Sequence, residues 1–346
     1  MHDAHYAVVV GINRYPGLSD LNGPVHDAAG FVEWLVDPSG GAVPQENVRL
    51  VPASPDDDAD LTTDEALPDP RNINSALHQL NTIVQRRTAA EPDVWPRTRL
   101  YFFVAGHGLL PTDGDAALLA ANASNEEPGY NLDLRLYQQW YRRSGCFHEL
   151  VLFADCCRND FPGAPSSPPP FVQSSTVDRE VRVAIGYATR FGRRAYEDVI
   201  PGDEHDDTPP DQRRGFFTTA LLRGLRQHRR WDQLKAFVDR TLPDLAESSR
   251  RVQHADWYGE DDMLFGREDP DQPPATYEVT INFPAGTPAV VELFDDRFAV
   301  IDSWDTTQGP WRRALPPGLY GVRGQGGGPV VGRLFQVAGA DIDVKL

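Results

Sequence analysis

The sequence predicts an α/β protein with a mostly parallel sheet flanked by helices, followed by a small all-β, sandwich-like module. Two patterns carry this prediction. Up to about residue 266, short continuous apolar runs alternate with segments of helical period, which is typical of parallel strands buried on both faces. Beyond that point, short alternating segments are separated by Pro-Gly and Gly-Gly turns, which is typical of antiparallel strands. A chain of 346 residues also exceeds the usual size of one core, which favours two domains.

The elements of the first part follow from hydrophobic spacing. In the second helix, for example, Ile73, Ala76, Leu77 and Leu80 fall on one helical face. Each apolar run is four to seven residues long and ends near glycine, proline or a polar cluster, as buried strands do. The predicted strands are 7–12, 48–51, 100–104, 150–154 and 181–187, and the predicted helices are 24–35, 72–87, 132–143, 216–225 and 231–242.

Three segments lack any periodicity. Residues 56–70 are acidic and contain proline, residues 161–177 carry a Pro/Ser cluster, and residues 201–214 change from acidic to basic. Long loops inside a compact domain are more often functional or disordered than neutral. We expect a first domain over residues 1–268, a linker over 269–275 and an accessory module over 276–346 that contains no His or Cys. Its predicted strands are 277–283, 289–294, 298–301, 319–323, 330–337 and 342–346.

Composition excludes several classes of partner. With 33 basic and 51 acidic residues, the net charge of −18 argues against nucleic-acid and anionic-membrane surfaces. No apolar run approaches the ~18–20 residues that span a bilayer, and the first residues do not look like a secretion signal. Three cysteines are an odd number and do not make a disulfide framework. We therefore expect a cytoplasmic protein.

Two predicted strand ends carry reactive side chains. His107 lies between two glycines after the strand 100–104, and Cys157 follows the strand 150–154. Ligands bind beyond the carboxyl ends of parallel strands, and a thiol nucleophile needs an imidazole to move its proton. The plainer alternatives are a turn histidine and inert core thiols. Because strand residues two apart share a face, Asp155 and Cys157 would face the same side, and Cys156 would point to the opposite side, into the packed core. Cys146 precedes this strand and is expected to be structural.

Several short segments occur in an order that resembles the caspase-like cysteine peptidases, the superfamily of caspases, metacaspases and paracaspases. The resemblance covers roughly residues 5–266, and the His107-to-Cys157 spacing of 50 residues (157 minus 107) is close to the caspase spacing. It implies a caspase-like fold and a cysteine endopeptidase activity. The matching segments are 9–16 (VVGINRYP), 21–28 (LNGPVHDA), 103–108 (FVAGHG), 155–158 (DCCR) and 215–218 (GFFT).

The resemblance also implies roles for single residues. Cys157 would be the nucleophile and His107 the acid and base, with the backbone N–H groups of Gly108 and Cys157 as the oxyanion hole. The resemblance implies no third catalytic side chain that orients the histidine. Asp155 stands where caspases have Gln, as in metacaspases and paracaspases. Together with Asp27 it would line the S1 pocket and select Arg, and less well Lys. The alternative for Asp27 is an acid favoured at a helix start. Ala105 stands where metacaspases often have Ser, so one hydroxyl contact with substrate is expected to be missing.

Regulation and partners are further expectations from the resemblance. Such peptidases are commonly kept latent, and Arg179 and Arg214 are candidate self-cleavage positions, with plain surface arginines as the alternative. We expect protein substrates with exposed Arg, an activating protein partner, no cofactor and no metal. The acidic loop at 56–60 is compatible with calcium, but solvated charge is the commoner role. The suggested setting is bacterial defence or cell-death signalling. The alternatives are a catalytically silent scaffold that binds a partner through the C-terminal module, and ligation on the same dyad.

Overall fold

A computed structural model of the chain divides it into two compact units, Met1–Arg267 and Glu268–Leu346. The structure describes residues 2–56, 59–112, 114–161, 163–172, 179–200, 212–260 and 262–265 of the first unit. In the second unit it describes residues 277–284, 287, 290–294, 300–315, 318–324, 333–337 and 342–345. The predicted linker 269–275, much of the loop 201–214 and residues 173–177 of the Pro/Ser loop lie outside the described residues. Among those described, no helix is long and apolar enough to cross a membrane.

The first unit contains the elements β1 (His5–Gly11), α1 (Pro24–Val36), β2 (Val48–Leu50), α2 (Pro70–Ala90), β3 (Arg99–Ala105), β4 (Gly108–Leu109), β5 (Ala117–Leu119), β6 (Asn131–Asp133), α3 (Leu134–Ser144), β7 (Glu149–Asp155), β8 (Arg182–Tyr187), β9 (Glu197–Val199), β10 (Arg213–Gly215), α4 (Phe216–Gln227), α5 (Trp231–Ser248) and β11 (Asp256–Gly259). Its central sheet has six strands in the order β11-β8-β7-β3-β1-β2, with all neighbours parallel except the edge pair β11 and β8. A three-stranded antiparallel sheet (β4, β5, β6) and a hairpin of β9 and β10 lie outside it.

Helices cover both faces of the central sheet, and alternation along each strand sends side chains to both layers. In β1, Val8 packs with α2 and α3, whereas Val9 packs with α1, α4 and α5. Strand β7 divides in the same way, with Leu152 in the first core and Phe153 in the second. Burying each large apolar side chain contributes roughly 1.5–3 kcal/mol, so both layers hold the strand ends in place. The predicted α/β class is confirmed.

Some observed elements differ from the predicted ones because a proline does not end a helix and because very short strands show no hydrophobic pattern. Helix α5 continues past Pro243 to Ser248, because Leu242 and Ala246 on its apolar face are both buried in the core. The proline removes one N–H donor but leaves this buried face intact. The strands β4, β5, β6, β9 and β10 are each only two or three residues long, too short to show any periodicity.

The second unit contains two small sheets that share one apolar core. The strands are β12 (Tyr277–Asn282), β13 (Val290–Phe294), β14 (Val300–Asp305), β15 (Trp311–Leu315), β16 (Gly318–Gly324), β17 (Arg333–Val337) and β18 (Ile342–Lys345). One sheet has the order β15-β12-β18 and the other β14-β13-β16-β17; every described pairing is antiparallel except that of β12 with β18. The unpredicted strand β15 has an arginine pair in its middle and buries only Trp311 and Leu315 at its ends.

Candidate active site

The pairing of β3 with β7 brings the two reactive strand ends together. The strands are parallel and their last paired residues are Ala105 and Asp155. His107 and Cys157 each follow two residues beyond this pair. The backbone N–H of Gly106 donates to the carbonyl oxygen of Asp155 at 3.2 Å, so the two segments remain hydrogen-bonded as they leave the sheet. Both side chains line one cavity of about 910 Å³.

Gly108 allows the histidine loop to lie directly against the cysteine loop. A Cβ atom at this position would be 2.6 Å from the carbonyl oxygen of Cys157 and 2.7 Å from the Cβ atom of Cys156. Neither distance is compatible with a side chain, so only glycine permits this approach. Gly108 also lines the cavity beside Cys157. Their assignment as oxyanion-hole donors stays a prediction.

The imidazole of His107 is oriented by a backbone carbonyl group. Its Nε2 atom lies 2.6 Å from the carbonyl oxygen of Ser19, and because that oxygen can only accept, Nε2 carries the proton. Nδ1 is left to exchange a proton. The hydroxyl group of Tyr15 accepts from the backbone N–H of His107 at 3.0 Å and donates to the carbonyl oxygen of Leu119 at 3.2 Å. The Tyr15 ring also meets the imidazole edge-on, with centroids 4.7 Å apart.

Burial keeps both members of the pair uncharged in the resting site. It lowers the pKa of His107, against the contact with Ser19 and the charges of Glu197 and Asp20. It raises the pKa of the Cys157 thiol, against the contact with Ala195. The Sγ–H group points to the carbonyl oxygen of Ala195 at 3.7 Å. A neutral thiol and a neutral imidazole therefore line the same cavity in the resting site.

The three cysteines lie in different surroundings. Cys156 is buried in the core layer of Leu152, and burial raises the pKa of its thiol. Cys146 is also buried, with a thiol pKa raised to about 12, and its Sγ atom contacts Asn81. Of the three, Cys157 alone is partly exposed. A thiol nucleophile must reach both solvent and substrate, and this exposure favours Cys157.

Asp27 and Asp155 converge on the start of helix α4. The Oδ2 atom of Asp27 accepts from the backbone N–H of Gly215 at 2.9 Å. The Oδ2 atom of Asp155 accepts from the backbone N–H of Thr218 at 3.0 Å and from its hydroxyl group at 2.7 Å. A Cβ atom on Gly215 would lie 2.1 Å from Asp155 Oδ2 and 2.9 Å from Asp27 Oδ2. The two carboxylates thus share one small, glycine-lined space.

This pair carries an electrostatic cost. Burial raises the pKa of Asp155 to about 6, although Thr218 donates two hydrogen bonds to it. Burial and the neighbouring Asp155 charge raise the pKa of Asp27 well above its ordinary range, while the hydrogen bond from Gly215 and the charge of Arg214 oppose the rise. The Oδ1 atom of Asp27 is buried without a hydrogen-bond partner among the described residues. A cation entering the cavity would relieve this cost.

Glu197 adds a third carboxylate that was not predicted. It begins the short strand β9 and accepts from the backbone N–H groups of Asn22 at 3.0 Å and Gly23 at 2.8 Å. It lines the cavity together with Asp27 and Asp155. Since the hairpin is too short for a periodic pattern, the sequence offers only the acid itself as a signal. Ser19 gives no signal at all, because it acts through its backbone.

The two candidate self-cleavage arginines differ in their surroundings. The guanidinium group of Arg179 lies over the Trp95 ring, 4.8 Å from its centroid. Arg214 lies in β10, opposite Asp198 in the hairpin with β9.

No group of three or more His, Cys, Asp or Glu side chains that could hold a metal ion occurs in the described residues. Calcium binding stays a hypothesis.

Comparisons with known proteins bear on this site. A family model described as the peptidase C14 caspase domain matches residues 4–261. A protein described as a probable protease, from a Desulfuromonadales bacterium, is 31% identical over 267 residues, which are 68% of this chain and 29% of that protein. The chain therefore spans less than a third of the length of this curated relative. The crystal structure of caspase-1 from Spodoptera frugiperda aligns at 16% identity and a TM-score of 0.44, covering 78% of this chain and 93% of that one.

Proposed function

Since the chain belongs to the peptidase C14 family of caspase-domain cysteine peptidases, we propose that it cleaves proteins after arginine, and less well after lysine, through Cys157 and His107. The curated relative's description as a probable protease supports an active enzyme. The observation that carries the choice of residue is the convergence of Asp27 and Asp155 at Gly215, with Glu197 in the same cavity.

A guanidinium group fits such a pocket better than an ammonium group. Its planar fork of N–H donors can bridge two carboxylates, whereas lysine offers a compact charge at a single point. The unpartnered Oδ1 atom of Asp27 supplies one acceptor. An aspartate side chain would meet three carboxylates and be repelled. The pocket therefore favours arginine, then lysine, and disfavours acids.

The reaction follows from the arrangement of thiol and imidazole. Nδ1 of His107 takes the Cys157 proton, and the thiolate attacks the carbonyl carbon of the substrate arginine. The N–H groups of Gly108 and Cys157 donate to the resulting oxyanion. The imidazolium then protonates the leaving amine, the C–N bond breaks and a thioester forms. Water, deprotonated by the same imidazole, hydrolyses the thioester and restores the thiol, while Ser19 holds the ring throughout.

The setting and control of the activity extend this proposal. We expect a cytoplasmic, latent bacterial enzyme in defence or cell-death signalling, activated by self-cleavage or by a protein partner. A silent scaffold that binds through the C-terminal module is the alternative, and the retained Cys157, His107 and Ser19 contacts argue against it. Ligation would use the same thioester with an amine in place of water. Product masses with and without an added amine distinguish it from hydrolysis.

The test is covalent labelling with a peptidyl-arginine acyloxymethyl ketone, followed by mass mapping of the adduct. The expected adduct is on Cys157. Cys157→Ala and His107→Ala should each prevent labelling and proteolysis without loss of fold, whereas Cys156→Ala, the matched control, should retain most activity. Labelling of Cys156, or efficient labelling by an aspartyl analogue and not by the arginyl one, would overturn the assignment.

A further inference from the structure

The active-site cavity also has a basic wall. Arg194 and Arg251 line it together with Cys157 and the three carboxylates, and both arginines are exposed. Resting on the proposed cleavage after arginine, we propose that Arg194 and Arg251 form a second subsite that selects an acidic residue immediately before the substrate arginine, the P2 position.

The segment that carries Arg194 runs along the edge of the cavity. The backbone N–H of Tyr196 donates to Gln253 Oε1 at 3.0 Å, and its carbonyl oxygen accepts from the N–H of Phe216 at 3.1 Å. The carbonyl group of Ala195 points the other way, towards the Cys157 thiol. Backbone groups that alternate in this manner indicate extended chain, with one polar edge facing the nucleophile.

Side chains of an extended segment alternate between two faces. Glu197 reaches the backbone of Asn22 and Gly23 beside the carboxylate pocket. Tyr196 must project to the opposite face, and the guanidinium group of Arg251 lies over its ring, 5.0 Å from the centroid. By the same alternation we infer that Arg194, two residues before Tyr196, projects to this side. Glu197, on the side of the carboxylate pocket, and Arg194, on the side of Arg251, therefore belong to opposite faces of one segment.

An extended substrate lying against this segment alternates in the same way. When its arginine enters the carboxylate pocket, the preceding side chain projects to the face of Arg194 and Arg251. The two positions therefore meet opposite charges. Because the protein has a net charge of −18 and three carboxylates in the cavity, it would repel an acidic P2 residue by default. A preference for an acid at P2 would therefore report the local effect of the arginines.

The same rule separates the two self-cleavage candidates by sequence. Asp178 precedes Arg179, which provides an acidic P2 residue, whereas Arg213 precedes Arg214. A basic residue at P2 would meet the basic wall and be repelled. Cleavage after Arg179 is therefore favoured over cleavage after Arg214.

The experiment uses the full chain and two fluorogenic peptides, acetyl-Ala-Ala-Asp-Arg-aminomethylcoumarin and the same peptide with Asn for Asp. For the wild type we expect kcat/KM to be higher for the Asp peptide by roughly three- to tenfold, the effect of one or two exposed ion pairs, and the ratio to fall as salt is added. Arg194→Gln and Arg251→Gln should each bring the ratio closer to one. Arg193→Gln removes an equally exposed neighbouring charge that does not line the cavity, and it should leave the ratio unchanged.

The outcomes distinguish the two proposals. Cleavage of both peptides with a wild-type ratio at or below one overturns the P2 subsite and leaves arginine cleavage standing. The subsite is also overturned if the ratio exceeds one but survives both arginine substitutions. Cleavage of neither peptide overturns the proposed function, and the subsite with it. The wild-type ratio and its salt dependence decide the matter even if a variant fails to fold.

Discussion

Replacing Asp155 by Asn should stabilise the protein while strongly lowering its activity towards arginyl peptides. Asn keeps the shape of the side chain and can still accept from the N–H and hydroxyl groups of Thr218, but it carries no charge. The folded protein raises the pKa of Asp155 from an ordinary 3.8 to about 6, so it binds this proton more tightly than the unfolded chain does. The stability contributed by this group is therefore fully present below about pH 4 and is lost as the pH rises through 6.

The size of the effect follows from the two pKa values. A rise from 3.8 to about 6 corresponds to about 3 kcal/mol lost from folding at pH 8, at ~1.36 kcal/mol per pH unit. Asn does not titrate and avoids this loss. For a unit of this size, that amounts to roughly 6–12 °C in melting temperature. Removing one charge around a buried guanidinium group costs ~2–5 kcal/mol, so kcat/KM for arginyl peptides should fall roughly 30- to several-thousand-fold.

The assay is thermal unfolding of wild type and Asp155→Asn from pH 4.5 to pH 8, with peptide kinetics at the upper end. The melting temperatures should differ by about a third of the full amount at pH 4.5, separate further up to about pH 6 and stay apart above it, with the variant more stable. Arginine amide should stabilise the wild type at pH 8 and have little effect on the variant. Asp64→Asn removes one exposed carboxylate and should change neither property. A variant that melts below the wild type at pH 8, or that still cleaves arginyl peptides at full rate, would refute the reasoning.

Three further predictions concern other parts of the molecule. Asp27→Ala should impair cleavage after Arg by the same ~30-fold or more in kcat/KM, and Asp27→Asn nearly as much, since Asn keeps shape but not charge; a peptide library in which Asp or a bulky apolar residue is preferred at P1 would contradict this. Tyr15→Phe removes the hydroxyl group between His107 and Leu119 and should lower kcat roughly tenfold with little change in KM, at about 1–1.5 kcal/mol for the hydrogen bonds lost; an unchanged kcat would show that the Tyr15 ring alone holds the loop. A chain ending at Asp269 should fold and cleave short peptides like the full chain, because the removed module contributes no His or Cys; a folded but inactive truncation would mean that the module takes part in the reaction.

The sequence was most informative where chemistry coincides with regular structure. Asp155 ends a strand whose alternation is set by buried residues, and Cys157 follows it two positions later. The two side chains could therefore be predicted to face the same side. Asp155 indeed meets Thr218 on the face covered by α1 and α4, and Cys156 packs on the other face. His107 was found in the same way, between two glycines at the end of β3.

Other parts of the site have no signature in a single sequence. Ser19 contributes only a carbonyl oxygen, which every residue possesses. Tyr15 acts through long-range hydrogen bonds to residues 92 and 104 positions away, set by the path of the chain and not by local pattern. Glu197 and Arg194 belong to a short extended segment whose orientation depends on hydrogen bonds with Gln253 and Phe216, which lie far along the chain. In the second unit, β15 was not predicted because only Trp311 and Leu315 at its ends are buried, and the exposed residues between them, two of which are arginines, break the apolar alternation.

The contact between Gly215 and Asp27 has a consequence for the integrity of the enzyme. The peptide bond after Arg214 ends at the nitrogen atom that lies 2.9 Å from Asp27 Oδ2. Hydrolysis there would turn this amide into a new chain terminus carrying a positively charged amino group, already within hydrogen-bond distance of Asp27. The protein would then hold a cation of its own in the pocket proposed for the substrate arginine, and on that proposal the cut would inactivate the enzyme. Under the proposed P2 preference, the acidic residue before Arg179 and the basic one before Arg214 would direct self-cleavage away from the bond whose loss would disable the enzyme.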